Sequence, residues 1–106
     1  MNTHHTQLAQ QLQEKASEFI NTWSNRKSLI TITDIILSPR ADKVTFCVSV
    51  FPEEAEAPAL GFLLRKRGEC REYLKQHVAL GRIPHVEFML DEGEKNRQKV
   101  ESLLQE

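Results

Sequence analysis

The sequence predicts a two-layer α+β domain. Three observations support this prediction: an apolar stripe at helical spacing near the N-terminus, a strictly alternating apolar stretch in the middle, and a basic helical segment interrupted by a glycine. A strand hairpin and a third strand must bury one face, and the helices are the only cover available. At 106 residues, the chain is expected to form one domain, 1–106, around one modest core.

The first predicted element is a helix from about Gln7 to Trp23, with Thr6 as its N-cap and residues 1–6 as a frayed tail. Its apolar side chains recur every three or four residues, as on one face of an amphipathic helix. They are Leu8, Leu12, Ala16, Phe19, Ile20 and Trp23.

Two strands follow as a hairpin. The stretch 29–37 is rich in β-branched residues, and its apolar positions change parity, which indicates either a bulge near Asp34 or cover on both faces. Pro39 suits the turn that follows. The stretch 43–51 alternates cleanly and ends at Pro52. Its two faces are Val44, Phe46, Val48 and Val50 on one side, and Lys43, Thr45, Cys47 and Ser49 on the other.

A second helix is predicted with Pro58 in its first turn, and it leads into a basic segment from Arg65 to Lys75. An unbroken helix through this segment would place Lys66 and Arg67 close to the apolar stripe formed by residues such as Cys70 and Leu74. We therefore predict a break around residues 66–68, with Gly68 present for geometry.

The rest of the chain predicts a third strand and a weak last helix. Gly81 is interpreted as a helix C-cap, after which Pro84 cannot continue a helix. Alternation over 85–90 indicates the strand. Asp91 and Glu94 are spaced as a cap pair for a weakly docked C-terminal helix, 92–106.

Several functional classes are disfavoured by the sequence. No apolar run approaches the length of a membrane span, and the N-terminus has no signal-peptide core, so a cytoplasmic location is expected. Cys47 and Cys70 are not paired in a CxxC motif, and the histidines are not at metal-ligand spacing, so no metal or cofactor is expected. Catalytic motifs are absent, so the chain is not predicted to be an enzyme.

Charge is distributed unevenly along the chain, although the net charge is only −1. Between Gly61 and Arg82 there are six basic residues against two acids, Glu69 and Glu72. Such a run is most often a solvated face, but beside a glycine it can also contact nucleic acid, because the backbone can approach phosphates there.

These residues resemble bacterial ribosome-binding factor A. Leu29 to Pro39 is similar to that family's first strand and Leu-Ser-Pro turn, and Val44 to Val50 is similar to its second strand. Arg82 to Phe88, closed by Asp91, resembles its third strand, and Gly68, Arg71 and Leu74 fall where its second long helix begins.

The resemblance implies a type II KH-like fold of αββααβ order, with a three-stranded mixed sheet under helices. It also implies binding to the 30S subunit and its 16S rRNA during late maturation, a link to growth in the cold, and no membrane or small-molecule partner. Three positions depart from the family pattern: Lys66 replaces the kink alanine, Ser24-Asn25 precedes Arg26 in place of Asp-Pro, and Gly81 replaces a common basic residue. These departures fit a divergent member with a weaker or altered RNA footprint.

The leading hypothesis is a monomeric, non-catalytic assembly factor that binds rRNA. Its predicted RNA contacts are Arg26, Arg65, Lys66, Arg67, Gly68, Arg71, Lys75 and Arg82. Neutralising about six phosphates predicts a slope of log K against log salt of roughly −4 to −5. The alternative is a KH-like protein–protein interaction module without strong RNA affinity, and a remote third possibility is a thiol-dependent enzyme.

Overall fold

A computed structural model of the chain describes residues 3–23, 28–79 and 81–92. The elements follow the predicted αββααβ order. They are α1 (Thr3–Trp23), β1 (Leu29–Leu37), β2 (Lys43–Phe51), a short 3-10 turn (Glu53–Ala55), α2 (Glu56–Arg65), α3 (Arg67–His77) and β3 (His85–Leu90).

The three strands form one mixed sheet in the order β1-β2-β3. β1 pairs antiparallel with β2 through a tight turn, in which the Ser38 amide donates to the Lys43 carbonyl at 2.9 Å. β3 pairs in parallel with β2, from Lys43 opposite His85 onward. A parallel neighbour requires a crossover, and α2 and α3 provide it. The predicted three-stranded mixed sheet is confirmed.

A bulge interrupts the hairpin where the sequence changes parity. Ile32 lies opposite Val48 and Asp34 lies opposite Cys47, so Thr33 is the extra residue of β1. The extra residue moves Ile35 into the face that packs against the core. The predicted bulge near Asp34 is therefore confirmed, and the alternative of two covered faces is not needed.

The core lies between the inner face of the sheet and the three helices. β2 is the central strand, and its Val44, Phe46 and Val48 side chains are completely buried. The Phe46 and Phe88 rings lie 5.6 Å apart, centroid to centroid, so β2 and β3 pack through aromatic side chains as well as backbone hydrogen bonds. The helices complete the core with Leu8, Leu12, Ala16, Phe19, Ile20, Ala59, Leu63, Cys70 and Leu74.

Two predicted caps are wrong. α1 begins at Thr3, so Thr6 lies inside the helix, because no proline or glycine in residues 3–5 stops the helix from extending. α3 ends at His77, because Val78 takes an extended conformation and buries its side chain in the core. Gly81 lies further along the connection, with a φ of 71°. Fraying of residues 1–6 stays a prediction.

The predicted C-terminal helix lies beyond the described residues, as does Glu94 of its cap pair. Asp91 is described: its amide donates to the Val48 carbonyl at 2.7 Å, and its carboxylate accepts a hydrogen bond from the Thr33 hydroxyl. Across the described ranges, no helix has the length and apolarity needed to cross a bilayer.

Candidate nucleic-acid interface

The corner between α2 and α3 is a break of one residue, Lys66. Its φ of −97° and ψ of 10° leave the helical region, while its amide still donates to the Leu63 and Phe62 carbonyls. The Cys70 amide donates to the Lys66 carbonyl at 2.9 Å, so α3 begins at once. The predicted break within residues 66–68 is confirmed, and lysine is compatible with the corner.

Gly68 is not what makes the corner. It lies in the first turn of α3, is exposed, and a Cβ added to it would meet no atom within 4 Å. The prediction that packing geometry requires this glycine is therefore wrong, because Lys66 absorbs the change of direction. A direct contact between Gly68 and RNA stays a prediction.

Replacing Gly68 with alanine is expected to raise the free energy of unfolding by about 0.4–1 kcal/mol, because alanine restricts the unfolded chain and fits an open helical site. Urea unfolding measures this change, and a loss of stability would contradict it. If the bare backbone at this position touches a phosphate, G68A will bind RNA more weakly while unfolding at higher urea concentration.

Arg67 connects the corner to the sheet. Its Nε donates to the Leu64 carbonyl at 2.9 Å, and its Nη1 lies 2.7 Å from Glu87 Oε1 on β3. The hydrogen bond from Arg67 is the main reason that the pKa of Glu87 lies below its usual value, and His85 contributes further. The positive charge of Arg67 is thus compensated by Glu87, and the residue stabilises the α3–β3 contact.

Lys66 is compensated as well. Its Nζ lies 3.4 Å from Glu69 Oε1 and 5.8 Å from the centroid of the Phe62 ring. An exposed pair of this kind contributes a few tenths of a kcal/mol, and a phosphate must displace Glu69 to bind Lys66. Lys66 therefore presents less free positive charge to a ligand than its position in the basic segment indicates.

Arg71 and Lys75 have no carboxylate partner among the described residues. Arg71 Nη2 donates to the Ile83 carbonyl at 3.1 Å, a neutral partner that orients the guanidinium without compensating it. Lys75 is exposed one turn further along the same side of α3. Helix pairing of these two cations with Glu69 or Glu72 was possible from their spacing, but within the described part of the chain neither forms an ion pair.

Arg65 and Arg82 are exposed at either end of this surface, Arg65 at the end of α2 and Arg82 directly before Ile83. Neither pairs with a carboxylate among the described residues. We call Arg65, Arg71, Lys75 and Arg82 the basic ridge. Arg26 was also predicted here, but it lies outside the described residues.

One cation near the ridge was not predicted from the sequence. Arg40, in the turn between β1 and β2, lines the same cleft as Arg82. The two turns meet because β2 and β3 are parallel and start at the same end of the sheet. The signal was present in the predicted topology, since a parallel β3 must begin beside the turn that precedes β2.

Burial makes both cysteines weak nucleophiles. Both are buried and unpaired, and burial raises the pKa of the Cys70 thiol to about 12 and that of Cys47 above its usual value. A nucleophilic cysteine needs the opposite shift. Within the described ranges, no three His, Cys, Asp or Glu side chains are grouped as metal ligands.

The αββααβ order, the mixed sheet and the broken helix pair define a KH-like domain. Over residues 4–104 the chain matches the ribosome-binding factor A family, and it belongs to that family. This is a family of non-catalytic ribosome assembly factors.

Solved structures of family members share this fold. The crystal structure of ribosome-binding factor A from Thermus thermophilus is 27% identical, with a TM-score of 0.71, covering 80% of this chain and 92% of that one. Coordinates of the T. thermophilus factor fitted into a cryo-EM map of a 30S complex are 26% identical, with a TM-score of 0.69, covering 81% and 93%.

The solution structure of a Thermotoga maritima protein, described as a putative ribosome-binding factor A, agrees in fold. It is 22% identical, with a TM-score of 0.66, covering 84% of this chain and 90% of that one. A comparison with curated protein sequences finds no match.

Proposed function

We propose that this protein is a monomeric assembly factor that binds the 30S subunit and its 16S rRNA during late maturation, in the cytoplasm. The observation that carries the proposal is the basic ridge: four exposed or half-exposed cations without carboxylate partners, on one helix pair and the connection that follows. Support also comes from the related T. thermophilus factor fitted into a map of a 30S complex.

The ridge has the geometry of a surface for a sugar–phosphate backbone. Arg71 and Lys75 lie about 6 Å apart along the helix axis, at ~1.5 Å per residue, and Arg82 immediately precedes Ile83, the hydrogen-bond partner of Arg71. Arginine donates to phosphate in a fork, whereas lysine acts as a mobile point charge. Such contacts position RNA without reading its sequence.

Because two of the six cations are paired with carboxylates, we expect RNA affinity to depend less steeply on salt. Lys66 and Arg67 are paired with Glu69 and Glu87, so four cations remain to release counterions in place of six. At 0.7–0.9 per phosphate, we expect a slope of log K against log salt of about −3 to −3.5, shallower than the six-cation value.

Sedimentation of the purified chain with purified 30S particles, from about 50 to 300 mM KCl, tests the proposal. We expect binding to 30S but not to 70S particles, with the slope given above. Binding whose affinity does not change over this range of salt would overturn the proposed electrostatic footprint.

A protein–protein interaction module remains the second candidate, because the outer end of the hairpin is apolar. Leu29 and Phe51 lie directly opposite each other and are 62% and 73% exposed. An apolar pair of this kind would bind a protein in a salt-insensitive way. The candidate predicts that Phe51→Ser abolishes association with 30S particles while charge changes on the basic ridge have no effect.

A further inference from the structure

A cleft lies at the end of the sheet, beyond the basic ridge. The turn between β1 and β2 and the connection between α3 and β3 are neighbours there, held by a 3.0 Å hydrogen bond from the His85 amide to the Asp42 carbonyl. The cleft between them measures about 440 Å³. Among the residues that the structure describes, it is lined by Leu8, Arg40, Ala41, Asp42, Ala79, Gly81 and Arg82.

The lining combines an apolar side with two cations. Ala41 and Ala79 contribute apolar surface and Leu8 is only 3% exposed, while Arg40 and Arg82 are exposed and form no ion pair with a carboxylate in the described residues. Asp42, the one acid among the described residues that line the cleft, accepts a 2.5 Å hydrogen bond from the Ser38 hydroxyl. The charged side chains that the described residues contribute to the cleft therefore sum to one positive charge, with the carboxylate engaged inside its own turn.

The backbone fixes the two arginines on facing turns. Ala41 has a φ of 57° and Gly81 a φ of 71°, so each loop reverses next to its arginine in the left-handed region. The hairpin turn is closed by hydrogen bonds from the Ala41 amide to the Ser38 carbonyl and from the Asp42 and Lys43 amides to the Ser38 hydroxyl. Neither arginine is held by a described carboxylate, so both guanidinium groups are available to a ligand.

We propose that this cleft receives one unpaired nucleotide of a single-stranded RNA segment. The phosphate lies between Arg40 and Arg82, and the base packs on the apolar side formed by Ala41 and Ala79. A cleft of this volume is in the range that small ligands occupy, and guanidinium groups both bind phosphates and stack on bases. A duplex cannot enter, because its bases are stacked and paired.

This inference rests on the proposed function and extends it. Arg82 belongs to the basic ridge and also lines the cleft, and Arg71 donates to the carbonyl of the adjacent Ile83. RNA bound along α3 can therefore continue into the cleft. The ridge alone would bind duplex and single strand through their phosphates. The cleft adds a preference for a single strand, which the ridge does not supply.

Fluorescence anisotropy with a labelled eight-nucleotide single strand and a labelled eight-base-pair duplex tests the cleft. We expect Arg40→Ala and Arg82→Ala each to weaken single-strand binding about 5–10-fold, with less than about twofold effect of Arg40→Ala on the duplex. If both arginines hold one phosphate, the double variant loses less than the product of the single losses. Lys43→Ala is the matched control, because it removes one exposed cation beside the cleft without lining it.

Equal losses on single strand and duplex, or an R40A effect no larger than that of K43A, would overturn the proposal. An NMR titration with AMP tests whether the cleft binds a free nucleotide instead of an RNA segment. Tighter binding of AMP than of the oligonucleotide at this cleft also overturns the proposal. Sedimentation with 30S particles keeps the two proposals distinct. Retained 30S binding with no single-strand preference rejects only the cleft, whereas no binding to either RNA or 30S rejects the proposed function.

Discussion

Reversing the charge of Arg65 and Lys75 together is expected to weaken association with 30S particles about 100-fold at low salt and to reduce the salt slope by about two. Both side chains are exposed, and neither has a carboxylate partner in the described part of the chain. The substitutions R65E and K75E should therefore remove phosphate contacts and add repulsion without loss of folding. Anisotropy or sedimentation across a salt series measures both quantities.

Lys15→Glu is the matched control for K75E. It makes the same change in net charge on α1, outside the residues of the basic ridge, where Lys15 pairs with Glu18 at 3.3 Å. We expect a smaller loss for K15E than for K75E, because Glu18 already compensates the charge of Lys15 whereas Lys75 has no carboxylate partner among the described residues. Similar losses for K15E and K75E would mean that net charge alone governs association, and the basic ridge would then have no special role.

Truncating Leu74 to alanine is expected to lower the free energy of unfolding by about 2–5 kcal/mol. The Leu74 side chain is completely buried on the face of α3 opposite to solvent, in the same cluster as Phe46 and Val86. Removing it leaves a cavity under the helix that carries Arg71 and Lys75. Urea unfolding followed by circular dichroism measures the loss.

Gln76→Ala provides the comparison on the same helix. Gln76 is exposed, so its replacement should change the free energy of unfolding by less than about 0.5 kcal/mol. A loss below about 1 kcal/mol for L74A would contradict the position of α3 on the sheet, because no cavity would then have formed. For the fraction of L74A that remains folded, binding to 30S particles should be close to that of the unaltered chain.

Most of the architecture could be predicted from local patterns. Alternation in β2 identified the buried face, since successive side chains of a strand point to opposite sides. The parity change in β1 indicated the bulge at Thr33, and the conflict between Lys66 and the apolar stripe of α3 indicated the helix break. Each of these features follows from residues close together in the sequence.

The errors arose where a local signal had more than one explanation. Gly68 was interpreted as the cause of the corner and Gly81 as a cap, because glycine is common at both kinds of site. In the fold, Lys66 makes the corner and Val78 ends α3, since burying Val78 in the core outweighs another helical residue. The presence of a glycine does not by itself show which neighbouring residue adopts the non-helical backbone conformation.

The sequence by itself determined the α+β class, the strands and the basic segment with its break, because periodicity and charge are properties of neighbouring residues. Only the tertiary structure decided which cations of that segment remain available. Glu87 and the Ile83 carbonyl lie 20 and 12 residues from their arginines, and Arg40 lines the same cleft as Arg82 because β2 and β3 are parallel. Charge compensation depends on distance in space, and the crossover through α2 and α3 sets those distances.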